Sequence, residues 1–307
     1  MLPKNVASGR AEMTAGISRF GGEAADEAAE ALLRDGVVAL EGLWPAQRID
    51  ELALALRQSI PGAFDTRAPL PEDIWVVGTK RINGLVPIAG RMAGCIDLLQ
   101  NPALLALLDK VLGNNWVYES FGVISSFPGS TVQKLHSDSP HLFEDKTIAA
   151  MLPPFALTIS IPLVDVDEVN GSTEFLPGTH RILQSPETAD GSVWNTVLRG
   201  NCMIWDFRVR HRGQPNNSAE PRPMFYATAC RAFWQDSTNF VPDARKLVIG
   251  RDARARIAAD RHRHFARARP MPGVVSAAQT FNRLVRWYSP RFHRALRRLA
   301  RRPETAL

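Results

Sequence analysis

Apolar positions in the first third of the chain recur at helical spacing, and those in the middle recur at every second residue. Over residues 23–35, Ala25, Ala28, Ala29, Leu32 and Leu33 share one face of a helix that Gly36 stops. A short apolar strand, Val37 to Leu40, follows. Pro45 opens a second helix with Ile49, Leu52, Leu56 and Ile60 on one stripe, ended by Pro61-Gly62. Residues 61–100 are irregular and rich in Pro and Gly, so loops are expected there. Asn101-Pro102 forms an N-cap and first turn for a third helix, Ala103 to Leu112, with Gly113 at the C′ position.

Beyond Gly113 the period changes. Trp116 to Phe127 is β-branched and aromatic, and Leu157, Ile159, Ile161 and Leu163 alternate with Thr158, Ser160 and Pro162. Further strand candidates are Thr131–His136, Ser172–Leu176, Cys202–Phe207 and Phe225–Phe233. Helices followed by many short strands point to an α+β fold whose β part is a sandwich or jelly roll. The expected organisation is a lead-in over 1–22, one domain over 23–250 and an Arg-rich helical extension over 251–307.

Composition adds exclusions. Hydrophobic residues at 45% and charged residues at 22% are ordinary for a globular domain. No run of about eighteen apolar residues exists, so a spanning helix is not expected. Glu23, Glu27 and Glu30 sit near the start without an apolar stretch, against a secretory or transit peptide. Cys95, Cys202 and Cys230 are odd in number and far apart. They fit three buried thiols in a reducing, cytoplasmic setting better than a disulfide framework or a zinc site.

Charge is uneven. Residues 251–307 hold fifteen Arg against Asp252, Asp260 and Glu304, a net of +12, so the other 250 residues carry −6 within a chain total of +6. A basic total alone would favour nucleic acid; an acidic body with a basic tail weakens that reading.

The candidate chemistry lies in Gln133-Lys134-Leu135-His136-Ser137-Asp138. Residues two apart on a strand face the same way, so His136 and Asp138 can reach one ion. Of the seven histidines, His211 stands out as the third ligand, because it ends a strand-like run and precedes the turn-rich Gly213–Asn217. Two imidazoles and one carboxylate on one face form the facial triad of iron(II) oxygenases, which keeps positions open for cosubstrate and dioxygen. The tripeptide alone is a weak motif. Arg222, eleven residues beyond His211, strengthens it, since a buried guanidinium offers a planar fork to a dicarboxylic 2-oxo acid.

These blocks together resemble the phytanoyl-CoA dioxygenase family of 2-oxoglutarate oxygenases. The resemblance covers "DGVVALEGL", "NPALLALLDKVLG", "FPGSTVQKLHSD", "NGSTEFLPGTHR" and "HRGQPNNSAEPR", from about Asp35 to Phe233. It implies a double-stranded β-helix (a cupin-like jelly roll) flanked by helices. It also implies His136, Asp138 and His211 as ligands of Fe(II), with O2 and 2-oxoglutarate as co-reactants. Arg222 matches the residue pairing with the distal carboxylate of 2-oxoglutarate, and Gln133 a polar side chain near the cosubstrate. Several relatives carry Ser two residues after the distal His, where this chain has Gly213, so Thr158 or Ser160 is expected to assist Arg222. The implied chemistry converts 2-oxoglutarate to succinate and CO2 while oxidising a small-molecule metabolite. Hydroxylation is the default, and desaturation, ring closure and epimerisation share the same ligands. Halogenases of this broad class lack the carboxylate, so Asp138 argues against halogenation.

Several readings stay open. His141 is a loop histidine or a substrate contact, and His180 in "PGTHR" fixes a turn. Trp75, Trp116 and Trp205 are core or pocket aromatics. Apolar Ile74, Trp75 and Val76 with basic Arg67, Lys80, Arg81 and Arg91 form a lid suited to an amphiphilic, anionic or carrier-bound substrate. The helical stripe within 281–301 packs on the body, forms a dimer, or meets an acidic partner such as an anionic membrane or an acyl carrier protein. A nucleic-acid-directed oxygenase and a non-catalytic jelly-roll binding protein are the competing functions.

Overall fold

The computed structural model describes residues 16–140, 142–143, 145–182, 188–240 and 244–271. The chain divides into two compact units, Met1–Arg269 and Pro270–Leu307. The second lies almost wholly outside the described residues, and the expected stripe within 281–301 lies there with it.

In the first unit β1 (Arg19–Gly21) precedes α1 (Ala25–Asp35), which buries Ala28, Ala29, Ala31 and Leu32. Gly36 ends α1 in the left-handed region at φ 78°, its N–H donating to Leu32 O. A Cβ there would also strike Val209 and His180, so glycine serves both the turn and the packing. Then come β2 (Val37–Glu41) and α2 (Ala46–Ser59), with Pro45 at its N-cap and Ile49, Leu52 and Leu56 buried. The expected loops of 61–100 instead contain β3 (Ile74–Val76), β4 (Arg81–Leu85) and the one-turn helix α3 (Cys95–Leu98). Next is α4 (Pro102–Leu112), whose cap Asn101 accepts from the N–H of Ala103 and Leu104.

The strands β5 (Trp116–Ser126), β6 (Ala156–Pro162), β7 (Thr173–Leu176), β8 (Val193–Trp194), β9 (Cys202–Asp206), β10 (Arg210–Gly213) and β11 (Arg222–Arg231) follow, with α5 (Lys146–Met151) between β5 and β6. Eight strands form one sheet in the order β1-β2-β9-β6-β11-β5-β4-β3, and three form a second in the order β10-β7-β8. The expected strand over Thr131–His136 is reduced to bridges at Ser130 and His136, because polar Gln133 and Lys134 interrupt the alternation.

Pairing register decides which side chains face which way, since paired residues share a face. One face of the large sheet presents Val38, Leu40, Ile159, Ile161, Phe225 and Val123, which pack with Leu32, Leu52, Leu105 and Leu108 of the helices. The other presents Ala39, Met203, Trp205 and Met224, which meet Phe175 of β7 in a second core. That second core lies between the sheets, and the site opens beside it. Ala253, Ile257 and Phe265 are buried in the helix-side core, so the compact unit continues past residue 250.

Candidate active site

The His136–Asp138 segment lies along β10. The His136 N–H donates to His211 O at 2.9 Å and the His211 N–H donates back at 2.8 Å. This reciprocal pair turns both imidazoles the same way, with ring centroids 4.5 Å apart. The Asp138 N–H donates to Phe207 O at 2.8 Å, which anchors the end of the segment. One ligand atom from each of His136, Asp138 and His211 falls within 4.8 Å of the others. They form a group among the described residues able to hold a metal ion.

Each ring nitrogen has a defined task. His136 Nδ1 lies 2.8 Å from Lys134 O and His211 Nδ1 lies 3.0 Å from Val209 O. A carbonyl only accepts, so both Nδ1 atoms carry a proton, which leaves each Nε2 as the atom that can meet a metal. Burial holds the His211 imidazole below its ordinary pKa, against the pull of Asp138, and favours that neutral form. His211 Nε2 lies 3.5 Å from Asp138 Oδ1. The second carboxylate oxygen, Oδ2, accepts from Thr158 Oγ1 at 2.7 Å and from Trp205 Nε1 at 2.9 Å.

The three side chains line a cavity of about 210 Å³. Arg222 enters it from β11, three inward-facing positions along the strand from Thr228, which pairs with Thr158. Arg81 enters from β4, opposite Ser126. Both arginines are only 3% exposed. Arg222 Nη2 donates to Ser126 Oγ at 3.0 Å and its Nε to Asn170 O at 3.1 Å. Arg81 Nε donates to the same Ser126 Oγ at 2.8 Å and its Nη2 to Gln214 O at 3.1 Å. Among the described residues neither guanidinium has a carboxylate partner. Burial pushes Arg222 down to about 10 and Arg81 downward too. Two buried cations without a counter-charge are costly in an isolated protein and call for a bound anion.

Gln133 accepts from the Gly213 N–H through Oε1 at 2.8 Å, while its own N–H donates to Gly213 O at 2.9 Å. A Cβ on Gly213 would come within 2.5 Å of that Oε1 and 3.4 Å of Arg81 Nη2. The space a serine side chain would need there is filled by Gln133 and Arg81. Thr158 lines the cavity through its contact with Asp138, whereas Ser160 does not line it and keeps a buried hydroxyl without a partner. His180 places Nε2 3.2 Å from Leu33 O at the turn after β7. His141 lies outside the described residues.

Thr173 and Tyr226 also line the cavity and escaped sequence reasoning, which placed Arg81 in a lid and not beside the metal group. Thr173 lies in an expected strand but offers only a hydroxyl, which singles out no role, and Arg81 lies in a stretch that has no strand periodicity. Of the basic residues expected in the lid, Arg81 alone reaches this cavity; Arg67 pairs with Asp65 and Lys80 borders a separate hollow. Trp75 meets Phe240 edge-on at 6.3 Å, Trp116 is core, and Trp205 faces the metal group.

The family model for phytanoyl-CoA dioxygenase (PhyH) matches residues 32–224. The chain belongs to the PhyH family. It is thereby an Fe(II)- and 2-oxoglutarate-dependent dioxygenase. Among curated proteins it is similar to the dioxygenase FrzG of Cladobotryum sp, 27% identical over 218 residues, covering 62% of this chain and 69% of that protein. It is also similar to the Fe(II)/2-oxoglutarate-dependent dioxygenase nvfF of Aspergillus novofumigatus, 25% identical over 204 residues, covering 62% and 65%. In fold it matches the α-ketoglutarate-dependent epimerase SnoN from nogalamycin biosynthesis, with TM-score 0.52, 24% identity and coverage of 68% and 84%. It likewise matches HygX of Streptomyces hygroscopicus, solved with nickel and 2-oxoglutarate bound, with TM-score 0.54, 12% identity and coverage of 68% and 88%.

Proposed function

We propose that this PhyH-family enzyme oxidises a small biosynthetic metabolite at a centre held by His136, Asp138 and His211, with 2-oxoglutarate bound by Arg222 and Arg81. The observation that carries the reading is the pair of buried, acid-free guanidiniums in the cavity that the His/Asp/His group faces. On this reading the eight- and three-stranded sheets are the two walls of a double-stranded β-helix.

The residues fit both groups. Two neutral imidazoles and one carboxylate oxygen suit iron(II), whose bound form supplies dioxygen activation coupled to decarboxylation of the 2-oxo acid. His136 and His211 contribute Nε2, and Asp138 contributes Oδ1. Arg222 and Arg81 hold the distal carboxylate with directed N–H donors, and Thr173 and the Gln133 amide nitrogen line the wall beside them. Phe175 and Trp205 pack against His211 and keep that side dry.

The rest of the cavity presents Asn83, Ser120, Thr228, Asp236, Asn239 and Phe240. Among the described lining residues the cations other than histidine are Arg81 and Arg222, both committed to the cosubstrate. That lining supports an uncharged small molecule over an anionic one or a nucleic-acid strand. Hydroxylation is the reaction we assign by default, because Asp138 occupies the position chloride would need; desaturation, ring closure and epimerisation share the same ligands, and the product distinguishes them. The test supplies iron(II) and 2-oxoglutarate to the purified protein and measures succinate, first alone and then with a panel of uncharged small-molecule metabolites. Succinate above a no-iron control, raised by at least one compound that gains an oxygen atom, is expected. Absence of iron-dependent succinate under every condition would overturn the assignment.

A further inference from the structure

We propose that Thr158 and Trp205 form a clamp that fixes Asp138 as a one-oxygen ligand and so preserves a free position on the metal for the cosubstrate. This rests on the metal centre proposed above. The clamp begins in the sheet: Thr158 of β6 and Trp205 of β9 are register partners, so both side chains leave the same face side by side. Thr158 Oγ1 donates at 2.7 Å and Trp205 Nε1 at 2.9 Å to one atom, Asp138 Oδ2. A carboxylate oxygen has two lone-pair directions, and here both are taken. Oδ2 therefore has none left for a metal, and Oδ1, on the His211 side, is the available donor.

Both donors are held rigidly. Thr158 is β-branched, 6% exposed and limited in χ1 by its strand. Trp205 is 2% exposed, with its ring 5.2 Å from Phe175, 5.3 Å from His211 and 5.8 Å from Tyr226. Turning the carboxylate to offer both oxygens would break two hydrogen bonds to buried donors, Thr158 Oγ1 and the Trp205 indole N–H. Thr158 and Trp205 are thus positioning residues: they act on the metal through Asp138.

The experiment uses Co(II) as probe, bound to the full-length protein and followed by its visible absorption and by calorimetry, then titrated with 2-oxoglutarate. Thr158→Val keeps the shape and removes one donor; Thr158→Ser restores it; Trp205→Phe removes the other. Loss of an outer partner is expected to weaken Co(II) binding by about 10-fold. In Thr158→Val and Trp205→Phe the absorption should shift as the second carboxylate oxygen reaches the ion, and 2-oxoglutarate binding should weaken with it. Thr158→Ser should match wild type in all three. Thr158→Val decides the matter should Trp205→Phe fail to fold. Unchanged Co(II) affinity and an unchanged spectrum in folded Thr158→Val overturn the clamp while leaving the metal centre standing. Wild-type protein that takes up no Co(II) overturns both.

Discussion

At the scale of single residues, the site rests on charge placed where water cannot reach it. Arg222 and Arg81 share Ser126 Oγ and have no described acid beside them. Replacing Arg222 with Met removes charge-assisted bonds worth ~1.5–3 kcal/mol to a bound carboxylate. The KM for 2-oxoglutarate should therefore rise by about 10- to 150-fold, with iron uptake intact. Arg81→Met should raise the same KM by a similar order, and steady-state kinetics with varied cosubstrate check both. Equal KM values in wild type and Arg81→Met would remove Arg81 from the cosubstrate site. Gly213→Ser should push the Gln133 amide off the Gly213 N–H and raise that KM by about 3- to 10-fold, the value of one hydrogen bond. Legibility in the sequence follows the same physics. His136 and Asp138 are visible because a spacing of two places both on one side of an extended segment. His211 is visible because it stands between a strand-like run and a turn-rich stretch, although that run ends at Asp206 and His211 lies on the next strand, β10. Arg81 reads only as a lid residue, because nothing local distinguishes a buried arginine from an exposed one.

Among the secondary-structure elements, what escapes the sequence is pairing that comes from partners rather than from periodicity. β3 and β4 lie in a Pro- and Gly-rich stretch and become strands because β5, eleven residues long, offers β4 an edge. The helices are legible because their ends carry local signals, Gly36 and Asn101, that need no tertiary context. The small sheet that carries His211 has its own staple: Glu174 on β7 faces Arg212 on β10, with Arg212 Nε donating to Glu174 Oε2 at 2.5 Å. Gln214 Nε2 and Ser192 Oγ donate to the same carboxylate. Burial opposes ionisation of Glu174, yet these donors outweigh it and hold its pKa below the usual range. A depressed carboxylate contributes stability above its unfolded pKa and loses it as pH falls through the folded value. Glu174→Gln should cost ~1–3 kcal/mol near neutral pH. Thermal unfolding followed at several pH values should show the gap from wild type narrowing below about pH 4.5, and a gap independent of pH would contradict the staple.

For the whole molecule, the charge map and the fold separate two tasks. Residues 1–250 carry a net −6 and contain every residue assigned to the centre, while the Arg-rich segment beyond them lies mostly outside the described residues. No helix among the described residues is long and apolar enough to cross a membrane. The sheets position the metal group and the arginine pair in one cavity, so metal and cosubstrate should bind in sequence and be separable by mutation. The most direct measurement is an anaerobic calorimetric titration of the metal-free chain with iron(II), followed by 2-oxoglutarate, in wild type, His211→Ala and Arg222→Met. One iron per wild-type chain, cosubstrate binding that depends on that iron, loss of both in His211→Ala and loss of cosubstrate alone in Arg222→Met are predicted. Iron bound equally well by His211→Ala, or 2-oxoglutarate bound equally well by Arg222→Met, would contradict the account.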